Sequence, residues 1–151
     1  MSNENYISER IREVINSSKP ELLKIAPEVA GKKENPKKWS KKEILGHLID
    51  SASNNHQRFV RGAQNIAGDF PVYNQERWVE IQHYNEMDWS DLVEYFYQYN
   101  LHISKLIDFL PDDVLENPCN IGKENPVTLK FVIEDYLRHL KHHIEQLLDT
   151  E

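Results

Sequence analysis

The segment Trp39-Ser40-Lys41-Lys42-Glu43-Ile44-Leu45-Gly46-His47-Leu48-Ile49-Asp50 carries the best helix start in the chain. Ser40 stands as N-cap and Glu43, three residues on, as its reciprocal partner in a capping box, while Trp39 is placed to staple onto Ile44. Past the cap, Ile44, Leu45, Leu48, Ile49, Ala52, Phe59 and Ala63 form an apolar stripe at the 3.6-residue period. A long amphipathic helix is therefore expected to about Ile66, before Gly68-Asp69-Phe70-Pro71.

The same period recurs on either side. Ile7, Ile11, Val14 and Ile15 define a first helical region from about Asn5 to Ile25, which Pro20 is expected to break or restart. Residues 31–38 read as a polar loop. A shorter helix is expected from Gln75 to Tyr84, with Gln75, Trp78 and Gln82 on one side. Another runs from Asp88 or Ser90 to Leu110 on the stripe Leu92, Tyr95, Phe96, Tyr99, Ile103, Leu106, Ile107 and Leu110, stopped by Pro111. Residues 111–126 read as a turn-rich linker, and a last helix starts at Thr128 as N-cap, with Val127 and Val132 as a second staple. Glycine is scarce, at 5 residues, and no stretch alternates long enough to claim a strand. Four main helices joined by moderate loops make an all-α four-helix bundle, in one domain over residues 1–151, the expected architecture.

Composition narrows the function. A net charge of −7 has the wrong sign for a nucleic-acid binder, and Lys32-Lys33, Lys37-Lys38 and Lys41-Lys42 read as a solvated loop and first helical turn. The single cysteine, Cys119, excludes an internal disulfide and fits a reducing compartment; its default role is loop packing. With no apolar run of membrane-spanning length and acidic residues early in the chain, a soluble cytoplasmic protein is expected.

The chemistry rests on histidine. His139 and His143, in Tyr136-Leu137-Arg138-His139-Leu140-Lys141-His142-His143-Ile144-Glu145-Gln146, are an i, i+4 pair, stacked one turn apart where both rings can reach one divalent ion. A third histidine from a distant helix would complete a set with open coordination positions, as catalytic metal sites have. The pair alone fits a satisfied or surface histidine cluster better than a metal site. Against the stripe Leu129, Val132, Ile133, Tyr136, Leu140, Ile144 and Leu147, His143 lies beside the core face, His139 at its edge and His142 nearly opposite. Periodicity in the earlier helix nominates His56 as the inward histidine, a core imidazole hydrogen-bonded to a partner, and places His47 on a polar strip with Ser51, Asn54 and Arg58. That strip either faces solvent or walls a wet pocket.

Together, Trp39 to Ser51, Asn54 to Phe59, Tyr73, Gln75, Trp78-Val79, Gln82 and Asp135 to Gln146 resemble the DinB-like superfamily, and within it the YfiT-type metal-dependent hydrolases. The resemblance implies a four-helix bundle, often a homodimer, with a divalent metal on one histidine of the second helix and two of the last: His47, His139 and His143. It thereby favours His47 over His56. Members similar to this chain include thiol-dependent transferases as well as hydrolases.

Three neutral imidazoles suit zinc best, with nickel, iron or manganese able to use the same set. The expected partner is a small molecule, with either hydrolysis or transfer of a low-molecular-weight thiol such as bacillithiol as the reaction. The alternative is a metal- or ligand-binding bundle without turnover, such as a stress-responsive binding protein. Candidates around the metal are Asp50 and Gln146, each one turn from a histidine and otherwise solvated helix surface. Asn54 belongs to the same polar strip. Arg58 could hold an anionic group or pair with one of 25 acidic residues, and Gln75, Trp78 and Gln82 could wall the pocket, although Trp78 also suits a core.

Overall fold

A computed structural model describes residues 3–65 and 70–149. Four long helices, α1 (Asn3–Leu23), α3 (Lys41–Ala63), α5 (Trp89–Phe109) and α6 (Leu129–Leu148), form the bundle, with short helices α2 (Pro27–Ala30) and α4 (Gln75–Gln82) outside it. Strong contacts join α1 to α5 and α6, and α3 to α5 and α6, giving the cyclic order α1, α5, α3, α6. His47 on α3 thus faces a neighbouring helix carrying His139 and His143, although 92 residues separate His47 from His139.

Caps and stripes set the element boundaries. The Ser40 hydroxyl accepts from Glu43 N–H at 3.1 Å, and the Glu43 carboxylate accepts from Ser40 N–H at 2.9 Å. Asn74, Asp88 and Thr128 cap α4, α5 and α6 in the same way with one side-chain bond each. All seven apolar residues of the α6 stripe are buried, each contributing about 1.5–3 kcal/mol relative to an exposed side chain. In α5, Tyr95 is exposed and leaves the stripe to Leu92, Phe96, Ile103 and Ile107.

Three local expectations change. Helix α1 continues through Pro20 to Leu23, because Pro20 and Asn16, whose carbonyl loses its helical donor, both lie on the exposed side where water can serve the carbonyl. The end of α1 is then held by Trp89, whose indole N–H donates to the Leu22 carbonyl at 2.9 Å. Helix α3 ends at Ala63, and the expected end at Ile66 lies outside the described residues. The linker after α5 contains a 3₁₀ turn (Asp112–Val114) and a small antiparallel ladder, β1 (Pro118–Cys119) with β2 (Val127–Thr128).

This ladder fixes the start of α6. Leu129 and Lys130 donate their N–H groups to the Asn117 and Leu115 carbonyls, each at 2.9 Å, while Asn117 Nδ2 donates to the Gly62 carbonyl at the end of α3. At the other end of the bundle Lys41 Nζ donates to the Leu147 carbonyl at 2.5 Å.

The feature that positions the site is the burial of α3. Residues 44–52 are all buried, on every side of the helix. The bundle covers one side, and α4 with the following 3₁₀ turn (Tyr84–Glu86) covers the other. His83, with φ 54° and ψ 47° in the left-handed region, turns the chain so that Tyr84 comes back onto α3. The Tyr84 ring lies directly over Gly46, where a β-carbon would fall 2.1 Å from its Cδ2. Gly to Ala in a helix interior normally gains about 1 kcal/mol. Gly46→Ala is expected to reverse that sign and destabilise the fold by about 1–3 kcal/mol through overpacking, read as a lower urea midpoint. An unchanged or raised midpoint would contradict this packing.

Candidate metal centre

The inward turn of the polar strip brings three imidazoles together. His47 is 1% exposed, while His139 and His143 are half-buried. Their ligand-capable nitrogens lie within 4.8 Å of one another, the only such histidine, cysteine or carboxylate cluster of three or more among the described residues. The Nε2 atoms of His47 and His139 are 3.1 Å apart. Two nitrogens each about 2.0–2.1 Å from a tetrahedral zinc would be about 3.3 Å apart, so the spacing suits two ligands of one ion. The three rings meet nearly edge-on, at centroid distances of 5.0, 4.9 and 4.5 Å.

Electrostatics favour the same use. Burial, and then the neighbouring His139 and His143, bring the His47 pKa down to about 3. Burial and His143 bring His139 down to about 4, although Asp135 opposes the shift. His143 is lowered too, with burial first among its causes and the Gln146 bond opposing. At neutral pH the rings are uncharged, with lone pairs available to a cation.

Each ring has its own support. Trp39 packs on His47 with centroids 5.0 Å apart, and Gln146 Oε1 lies 2.9 Å from His143 Nδ1, where it can accept that proton and leave Nε2 facing the cluster. The Nδ1 atom of His47 is buried without a hydrogen-bond partner, as is Asp50 Oδ2 one turn further on. An unsatisfied buried polar group costs about 1–3 kcal/mol. The His47 ring is held by packing against Trp39 and by the Nε2 contact with His139, with no partner at Nδ1.

The surrounding residues take distinct places. Asp50 Oδ1 accepts from the Tyr84 hydroxyl at 2.5 Å and from Gln82 Nε2 at 2.7 Å, and burial raises the Asp50 pKa against those bonds. Asn54 Nδ2 donates to the Asp50 carbonyl. Gln75, Arg58 and His139 line one cavity of about 160 Å³ with Ser51, Asn55 and Tyr73. Trp78 lies apart from the histidines, edge-on to Tyr73 at 5.4 Å. His142 is exposed and outside the cluster, and His56 bonds the Tyr99 hydroxyl through Nδ1 at 3.0 Å. Cys119 is fully buried against the ladder, as loop packing requires. Sequence reasoning missed Tyr84 as the partner of Asp50 and Tyr73 as a cavity wall, since neither lies on a periodic stripe with the histidines.

Comparison with known proteins agrees with this architecture. YfiT from Bacillus subtilis, described as a probable metal-dependent hydrolase with an unusual four-helix bundle topology, superposes with a TM-score of 0.85 at 18% identity, covering 97% of this chain and 86% of its own. A mycothiol-dependent maleylpyruvate isomerase superposes with a TM-score of 0.77 at 9% identity, over 95% of this chain and 60% of the isomerase. At these identities the likeness is one of fold. No curated protein sequence matches the chain. The profile of the DinB superfamily matches residues 8–147, nearly the whole chain, and the protein belongs to that superfamily.

Proposed function

We propose that this protein is a metal-dependent enzyme acting on small molecules, with a divalent ion, zinc by preference of the ligand set, held by His47, His139 and His143. The observation that carries the reading is the convergence of three neutral imidazoles from two helices. Three protein ligands leave a tetrahedral ion one open position. A zinc ion there would supply Lewis acidity to a water or a small thiol.

The chain's own residues supply the rest. Trp39 keeps bulk water from the His47 ring, Gln146 fixes the His143 ring, and the cavity beside His139 admits substrate. Hydrolysis is the first reading, supported by the near-complete overlap with YfiT. Transfer of a low-molecular-weight thiol is the second, supported by the likeness to a thiol-dependent isomerase. Elemental analysis followed by turnover assays before and after chelation tests the proposal. Metal without turnover would favour a binding bundle, and turnover surviving full metal removal would sink the metal-dependent reading.

Ligand substitutions sharpen the test. His47→Ala, His139→Ala and His143→Ala are each expected to reduce metal stoichiometry sharply, whereas His142→Ala should leave it nearly intact. Gln146→Leu should keep the ligands but weaken metal affinity about 10–100-fold by releasing the His143 ring. Equal losses at His142 and His143 would contradict this ligand set.

The depressed histidine pKa values also predict the acid response of the metal-free fold. In the unfolded chain these rings titrate near 6.5; in the fold, His47 and His139 resist protonation down to about 3 and 4. Their contribution is fully present above about pH 6.5 and is lost as the pH falls toward the folded values, because the unfolded state binds the extra protons. Urea midpoints of chelated protein should therefore fall between about pH 7.5 and 5, above the main carboxylate range. The double variant His47→Gln, His139→Gln should flatten that slope; an equal slope in both proteins would refute the assignment.

A further inference from the structure

Arg58 is a half-buried cation for which the described residues supply no ion-pair partner. Arg10, Arg12, Arg77 and Arg138 each have an acidic partner, namely Glu13, Asp108, Glu80 and Asp135, and Arg61 is exposed to solvent and donates to Gln57. Arg58 is half-buried, yet among the described residues it makes no ion pair or hydrogen bond, in a chain with 25 acidic residues. A buried, unpaired guanidinium is costly unless something pairs with it.

Its location says what that would be. Arg58 follows His47 by 11 residues, just over three whole turns, so both lie on one face of α3, about 16 Å apart along the axis. Helical side chains lean toward the N-terminus, which directs the guanidinium back toward the histidines. It lines the 160 Å³ cavity with His139, and Asp135 across that cavity is engaged by Arg138 at 2.9 Å. Arg58, Val72 and Tyr73 also wall a second, mainly apolar cavity of about 500 Å³, lined further by Phe70, Pro71, Trp78 and Ile81 and by the solvent-exposed Arg61 and Arg77. A reacting centre, a fixed positive charge and an apolar groove thus follow one another along α3.

We infer that the substrate is an organic carboxylate: Arg58 grips the carboxylate, the apolar body lies in the groove beside Trp78 and Ile81, and the reacting group reaches the histidine cluster. The reaction assigned to the cluster rests on the metal-centre reading above, whereas the grip of Arg58 on the anion does not. The guanidinium fork suits carboxylate and phosphate alike, but Asp135 on the cavity wall repels a dianion more than a monoanion. Burial lowers the Arg58 pKa while Tyr73 and Asp135 raise it, and the group stays cationic.

The test is an NMR titration of the protein as purified, and of the same protein after chelation, with 4-phenylbutyrate, the neutral 4-phenylbutanol and phenyl phosphate. The Arg58 Nε–H and Trp78 indole N–H resonances report binding. In both preparations 4-phenylbutyrate is expected to give saturable shifts, at least about tenfold tighter than 4-phenylbutanol, as a charge-assisted bond provides. Arg58→Gln should remove that advantage and Arg58→Lys restore part of it, each variant first shown by circular dichroism and melting to be folded. Equal affinity for acid and alcohol, an undiminished preference in Arg58→Gln, or tighter binding of phenyl phosphate would overturn the inference. Metal analysis of the same samples reports separately on the histidine site, so failure of either reading is recognisable.

Discussion

The contact of the Tyr84 ring with the backbone of α3 at Gly46 is the constraint on which the site depends. An amphipathic helix in a four-helix bundle normally leaves its polar face in water. Here the first half of α3 is roofed on that face while Trp39 and α6 close over His47, so His47, Asp50 and Ser51 are buried together. Burying polar groups costs stability, and the fold offsets part of it by giving Asp50 two donors from the roof itself. The remainder, on His47 Nδ1 and Asp50 Oδ2, stays concentrated around the histidines.

Desolvation also sets the chemistry. The chain carries a net charge of −7, yet its buried cluster consists of imidazoles that refuse protons. An acidic protein draws cations to its surface, and neutral nitrogen donors with an open cavity beside them would favour borderline metals over hard ones. Arg58, unpaired among the described residues and on the same face, would supply the opposite preference, for an anion, about three turns away. A substrate bridging the two would be oriented before it reacts.

Much of the fold was legible because it rests on local rules. The capping box at Ser40, the Thr128 cap and the seven-residue stripe of α6 appear in the structure as the sequence places them. So does the outward direction of His142, since α6 presents one face to the bundle and one to solvent. The two-sided burial of α3 was not legible. A hydrophobic stripe marks one buried face, so it pointed to His56, while His47 is enclosed by Trp39 and the histidines of α6, and the roof of residues 84–86 after a left-handed turn at His83 closes over its neighbours Gly46 and Asp50. Resemblance to the superfamily, not periodicity, singled out His47. Pro20 misled for a related reason: its cost depends on where the freed carbonyl faces, which a sequence pattern does not state.

The small ladder before α6 has a consequence for the evolution of the loop it encloses. Residues 120–126 leave and return at paired positions, Cys119 opposite Val127 and Pro118 opposite Thr128, so the chain can lengthen or shorten there without disturbing the ladder. The four residues from Leu115 to Pro118 have no such freedom, because Leu115 and Asn117 hold both the first turn of α6 and the end of α3. Adding one residue inside α6 would rotate everything beyond it by about 100°, carrying His139 and His143 off the face they share with His47. Length variation is thus partitioned by a two-residue ladder: free on one side of it, and on the other incompatible with a convergent histidine set.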